Sequence, residues 1–149
     1  MKRIFIDREK CQGCLGCAVA CMAEHNPAGK SVYDLDLGSR ENSVHNNVLL
    51  DAAKNPTPVL CRHCDDPDCV RACMSGAMGK DPASGRVGHD RDRCASCYMC
   101  VMSCPHGVLK VDLATRRIIQ KCDYCGDRDS PRCADECPSG ALEYKEVEA

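Results

Sequence analysis

At 149 residues the chain has room for one domain or two small ones, with a modest core. Sixteen cysteines, about 11% of the chain, stand against no Trp, one Phe and four Tyr, which excludes an ordinary aromatic-filled core and calls for disulfides or metal. A formal charge of -2 with no basic run excludes nucleic acid as a partner, and no stretch approaches the length of a membrane span.

The N-terminal MKRIFIDREKC carries too short an apolar run for a secretory leader. A reducing cytoplasm is therefore expected, where cysteines serve metal or redox chemistry and not disulfides. Residues 3–7 (RIFID) alternate as a short strand. The first cysteine run follows: Cys11, Cys14, Cys17 and Cys21, spaced C-x2-C-x2-C-x3-C, with Gly13 and Gly16 between the thiols and a short helix expected over Ala18–His25. Residues 26–59 contain no cysteine, are bounded by NPAGK and NPTP, and read as a surface excursion over one cluster or as a docking element. The second run is Cys61, Cys64, Cys69 and Cys73, spaced C-x2-C-x4-C-x3-C; Asp66 and Pro67 predict the cap and first residue of a helix carrying Cys69 and Cys73. A polar turn at KDPASG and a strand at RVGH come next. The third run is CASCYMCVMSCP, with Cys94, Cys97, Cys100 and Cys104. VLKVD and RIIQK then predict a hairpin around LATR. In the fourth run, Cys122, Cys125, Cys133 and Cys137, the phrase DSPRCADEC echoes DDPDCVRAC of the second, and ALEYKEVEA closes the chain with a strand.

The spacing of the first and third runs is that of bacterial ferredoxins, where three thiolates hold one iron-sulfur cube and the fourth reaches a different one. Sixteen cysteines match four [4Fe-4S] clusters with no thiol left over. The sequences after Cys73 (MSGA), Cys104 (PHGV) and Cys137 (PSGA) repeat as well, so the chain is an internal repeat of ferredoxin half-units. Each unit needs two runs that exchange their fourth cysteines. Spacing leaves two pairings open: sequential, joining runs one with two and three with four, or nested, joining two with three and one with four.

The whole chain resembles the four-cluster ferredoxin-like electron-transfer subunits that accompany molybdenum reductases, formate dehydrogenases and hydrogenases. The phrases CRHCDDPDCVRACMSGAM, CYMCVMSCPHGV and KCDYC resemble most the iron-sulfur partner of anaerobic nickel-iron carbon monoxide dehydrogenase, the CooF type. The resemblance implies an α+β fold of two nested ferredoxin-like units: one polyferredoxin domain over 1–149, with an outer unit of 1–25 plus 112–149, an insertion at 26–59 and an inner unit at 60–111. It implies that Cys11, Cys14 and Cys17 with Cys137 hold one cluster, and Cys21 with Cys122, Cys125 and Cys133 the next. Cys61, Cys64 and Cys69 with Cys104 then hold a third, and Cys73 with Cys94, Cys97 and Cys100 the fourth. Implied partners are carbon monoxide dehydrogenase and a second redox protein, a hydrogenase or a flavin-dependent NAD(P) oxidoreductase, in the cytoplasm or on a membrane complex through a partner. The same subunit of a formate dehydrogenase, hydrogenase or molybdenum reductase is the alternative.

With every iron bound by a thiolate, no coordination position is open to substrate, so an electron relay is expected and not an enzyme. A zinc-binding interaction module is the alternative of another class, since C-x2-C pairs also suit zinc. Lys10, Arg93 and Lys121 each precede the first cysteine of a run, where a positive charge would favour a reduced, more negative cluster. His25, His63 and His106 read as surface or supporting residues, and Met74, Met78, Met99 and Met102 as packing.

Overall fold

The computed structural model describes residues 1–39, 42–112, 119–126 and 128–147. Its elements are short, as an α+β chain with cysteine loops between them requires. β1 (Lys2–Ile6) pairs antiparallel with β8 (Leu142–Glu146), with Ile4 opposite Tyr144 and Ile6 opposite Leu142. The period-two alternation sends Ile4 and Ile6 to one face, where they pack with Leu142, Cys17 and Cys133, and leaves Phe5 partly exposed on the other. The strand stops before Asp7, whose carboxylate accepts the N–H groups of Glu9 and Lys10 in the turn leading to Cys11.

Helix α1 (Gly16–Glu24) begins two residues earlier than the sequence suggested and so carries Cys17 as well as Cys21, one helical turn apart. Ala20 and Ala23 are fully buried, and their small side chains let α1 pack closely on α4 (Arg132–Asp135). A single 3-10 turn spans Val32–Asp34. The second half of the cysteine-free interval is a hairpin that sequence reading missed: β2 (Asn46–Leu50) pairs with β3 (Pro56–Leu60). Pro56 and Pro58 hid it, because proline argues against a strand. In a two-stranded ribbon both strands are edges, and proline is tolerated there.

Helix α2 (Asp68–Arg71) corrects the expected cap. Pro67 is the extended residue before the helix, and Asp66 takes Arg71 as its ionic partner instead of capping. Cys69 lies on α2, but Cys73 lies beyond its end. The fourth run behaves alike: Pro131 precedes α4, and the Ser130 hydroxyl donates to Asp135 at 2.6 Å. β4 (Met78–Lys80) and β5 (Val87–His89) form a third ribbon. α3 (Met99–Ser103) carries Cys100 and packs against α2. β6 (Lys110–Val111) pairs with β7 (Ile119–Gln120); the turn of this hairpin, residues 113–118, lies outside the described residues.

Cysteines take part in every cluster of the buried core. One cluster joins Met78, Val87, Cys100 and Leu109, a second Cys17, Leu60, Cys133 and Leu142, and a third Cys61, Val108, Cys122 and Tyr124. Of the four methionines read as packing, only Met78 is buried; Met74 and Met102 are 90% and 71% exposed.

Candidate metal centre

The first C-x2-C loop of each run has the same backbone irregularity. The second residue between the cysteines is left-handed in each case: Gly13 (φ 69°), His63 (φ 46°), Ser96 (φ 54°) and Tyr124 (φ 58°). For a non-glycine residue that conformation costs of order 1–3 kcal/mol, and three of the four are not glycine. Such a turn gathers successive N–H groups into a concavity that favours negative charge. Gly13 was the only visible hint; nothing in the types of His63, Ser96 or Tyr124 announced it. Gly16 plays no such part, since a side chain there would make only ordinary contact with Cys14.

The residues after the last cysteines form a second repeated cradle. Gly76, Gly107 and Gly140 are left-handed, and each donates its N–H to the carbonyl of the cysteine three residues before it. Burial alone would raise the thiols of Cys73 and Cys137. The N–H groups of Ser75, Ala77 and Met78 at one, and of Ser139, Ala141 and Leu142 at the other, with the Ser75 and Ser139 hydroxyls, outweigh it and lower both. Met78 N lies 3.3 Å from Cys73 Sγ.

All sixteen cysteines are free. Burial pushes the Cys17 thiol up to about 11, with the thiolates of Cys11, Cys137 and Cys14 adding repulsion. Burial likewise raises Cys133, beside Cys21, Cys125 and Cys17, and Cys122, beside Cys133 and Cys61. Cys69 is pushed up to about 11 by burial with Cys61, Cys104 and Cys100 nearby, and Cys64 has Cys61 and Cys104 as neighbours. Cys100 lies with Cys73 and Cys94. Cys14 and Cys97 are the two exposed cysteines.

Histidines that the sequence left in supporting roles have distinct positions. His63 is 2% exposed, accepts the Val87 N–H on Nδ1 at 2.8 Å, and stacks on Tyr124 with ring centroids 3.9 Å apart. These two rings are the left-handed residues of runs two and four. His63 Nε2 and Tyr124 Oη are buried without a protein partner, the former held neutral by burial and by the cations Lys121, Arg3 and Arg86. His25 Nδ1 lies 2.8 Å from the Cys21 carbonyl and 3.7 Å from its Sγ, and Nε2 lies 3.3 Å from Asp123. His45, which sequence reading passed over, sends its N–H to Cys21 Sγ at 3.3 Å, and its neighbour Asn46 donates to the Cys17 carbonyl. The β2–β3 hairpin thus roofs the first run. His106 is half-buried beside Arg62 and Thr57.

These residues fit [4Fe-4S] clusters on their own chemistry: thiols in groups, N–H donors turned toward sulfur, and a cysteine core with little else to fill it. Residues 53–147 match the family described as a 4Fe-4S dicluster domain. The chain belongs to that family. This 4Fe-4S dicluster protein is 36% identical to the probable anaerobic dimethyl sulfoxide reductase chain YnfG of Escherichia coli K12, over 97% of its own length and 73% of the relative. It is 34% identical to the beta subunit of NADH-dependent phenylglyoxylate dehydrogenase of Aromatoleum evansii over 95% of its own length, but spans only 29% of that subunit. Among solved structures, the BamBC active-site complex of benzoyl coenzyme A reductase with 1,5-dienoyl-CoA contains a chain it matches at 26% identity and TM-score 0.53, covering 100% of this chain and 79% of that one. The dicluster protein carries four [4Fe-4S] clusters and is an iron-sulfur electron-transfer protein. No helix among its described residues is long and apolar enough to cross a membrane.

Proposed function

We propose that this chain is a linear electron relay between a catalytic oxidoreductase subunit and a second redox partner, with the nested cysteine pairing. The observation that carries it is the sequence of thiol neighbours. Cys11, Cys14, Cys17 and Cys137 form one set, linked through Cys17 and Cys133 to the set of Cys21, Cys122, Cys125 and Cys133. Cys122 and Cys61 link that set to Cys61, Cys64, Cys69 and Cys104. Cys69 and Cys100 link the third to Cys73, Cys94 and Cys100, to which the C-x2-C spacing adds Cys97. The outer unit of 1–25 plus 112–149 and the inner unit of 60–111 meet where the second and third sets adjoin.

Bound [4Fe-4S] clusters supply one-electron exchange without making or breaking a bond to substrate. The chain's residues do the rest. Buried Cys17, Cys21, Cys61, Cys100, Cys122 and Cys133 keep water from the interior of the line. Cys14 and Cys97 come to the surface at its two ends, Cys14 next to half-exposed Leu15 in the chain and Cys97 just ahead of α3, which exposes Met99 and Met102. Those apolar, exposed ends suit docking of redox partners, and the four thiols of each set leave no position for substrate, so the chain is not itself an enzyme.

Carbon monoxide dehydrogenase is the first-choice donor, on the CRHCDDPDCVRACMSGAM and KCDYC phrases, with a hydrogenase or flavin-dependent NAD(P) oxidoreductase as acceptor in the cytoplasm. The likeness to a dimethyl sulfoxide reductase chain favours a second reading, the same relay in a reductase complex. Co-purification from the native host separates them: a partner lacking nickel overturns the first. Pairing is tested by Cys104→Ser, which should perturb the cluster of Cys61, Cys64 and Cys69 and spare that of Cys94, Cys97 and Cys100; the reverse in electron paramagnetic resonance spectra would overturn it.

A further inference from the structure

Three basic residues precede the first cysteine of a run, and the structure treats them differently. Lys10 is half-exposed and pairs with Asp7 at 3.3 Å and Glu143 at 3.6 Å, so its charge is neutralised by carboxylates and screened by water. Arg93 is exposed near Gly76. Lys121 is 6% exposed. Its Nζ donates to the backbone carbonyls of Val87 at 2.5 Å and Cys122 at 2.7 Å, and among the described residues no carboxylate pairs with it.

Position gives this buried cation a role. Val87 belongs to β5, between runs two and three, and Cys122 opens run four. The same Val87 donates its N–H to His63, which stacks on Tyr124, so Lys121, Val87, His63 and Tyr124 make one connected seam. The two carbonyls take two of the ammonium's three donors without cancelling its charge, and burial removes the water that would screen it. Lys121 directly precedes Cys122 of run four and bonds its carbonyl, and through Val87 it reaches His63, which lies between Cys61 and Cys64 of run two. The cysteines on the two sides of the seam belong to different sets.

We propose that Lys121 is a fixed positive charge that raises the electron affinity of the two middle clusters, and of no others, so that an electron crossing between the two units meets no step down in affinity at the seam. This rests on the relay reading above. One electron from a low-potential donor such as dithionite enters, the same electron leaves to the acceptor, and no bond forms or breaks. It is a positioning charge and touches no substrate.

The test is anaerobic potentiometric titration, followed by electron paramagnetic resonance, of the four-cluster protein and of Lys121→Gln and Lys121→Arg. For Lys121→Gln we expect two of the four midpoint potentials to fall, each by about a tenfold loss in electron affinity (~59 mV for a one-electron couple), and the other two to stay. Lys121→Arg, which keeps the charge, should restore wild-type potentials. Lys10→Gln and Arg93→Gln should move none. Equal shifts at all four clusters, equal shifts from Lys10→Gln, or the same shift in both Lys121 variants would overturn the proposal. Loss of clusters in both Lys121 variants would assign the residue to folding alone and overturn it too. The expected number of shifted potentials is two under nested or sequential pairing, because Cys122 and the pair Cys61 and Cys64 fall in separate sets either way. Failure of the pairing, read from Cys104→Ser, is therefore distinguishable from failure of this proposal.

Discussion

Runs two and three and runs one and four build equivalent surroundings from very different lengths of chain. Cys73 and Cys137 receive matching N–H and serine donors, α2 packs on α3 as α1 packs on α4, and a ribbon follows each cradle. The ribbon after Cys73 is a local hairpin of three residue pairs, while the one after Cys137 recruits β1 from the opposite end of the chain through five. Closing a loop of well over a hundred residues in place of one under ten costs roughly 2–3 kcal/mol more, at about 0.6 kcal/mol per doubling. The longer β1–β8 ribbon and the nine-residue α1, against five residues in α3, supply the additional burial that offsets it. The same half-unit can be closed locally or across the whole chain, but the second closure depends on both ends being in place.

Iron removal should have the largest effect, and should erase the difference. Because cysteines enter each buried core and aromatic side chains are scarce, chelation of iron from the reduced protein should unfold both regions, read as loss of near-ultraviolet circular dichroism together with visible absorbance. Retention of native dichroism by the iron-free protein would break the comparison at its root. Truncation before Leu142 removes β8 and the partner of β1, and should lose about half of the bound iron while the clusters of runs two and three persist. Uniform loss would show that the two regions fold as one cooperative unit.

Leu142→Ala and Met78→Ala compare the cores themselves. Both side chains are 3% exposed, and each truncation should cost about 3 kcal/mol. The first should release the clusters of runs one and four earlier on heating, and the second those of runs two and three, followed by thermal bleaching of the visible absorbance. The smallest change is Leu15→Gly. Leu15 holds φ 60° just before α1 and is 51% exposed, so glycine relieves a left-handed residue with little lost packing. A gain of up to about 1 kcal/mol in the same bleaching assay is expected.

The chain's chemistry was written in its cysteine spacing. Thiols two residues apart must share a turn, so the runs, their count and their metal were legible without a structure, as were β1, β5, the β6–β7 pairing and β8, whose alternation is local. The start of α2 was misjudged because Pro67 sits before the first turn and not within it, as Pro131 does ahead of α4. The β2–β3 hairpin was hidden by Pro56 and Pro58, which only an edge strand accepts. Burial was beyond the sequence as well. Lys10, Arg93 and Lys121 occupy the same place before a cysteine, and nothing in that place tells a solvated charge from a buried one. The distinction came from where β5 brings the Val87 carbonyl, and from water that the seam excludes around Lys121, since a charge acts at a distance only where solvent does not screen it.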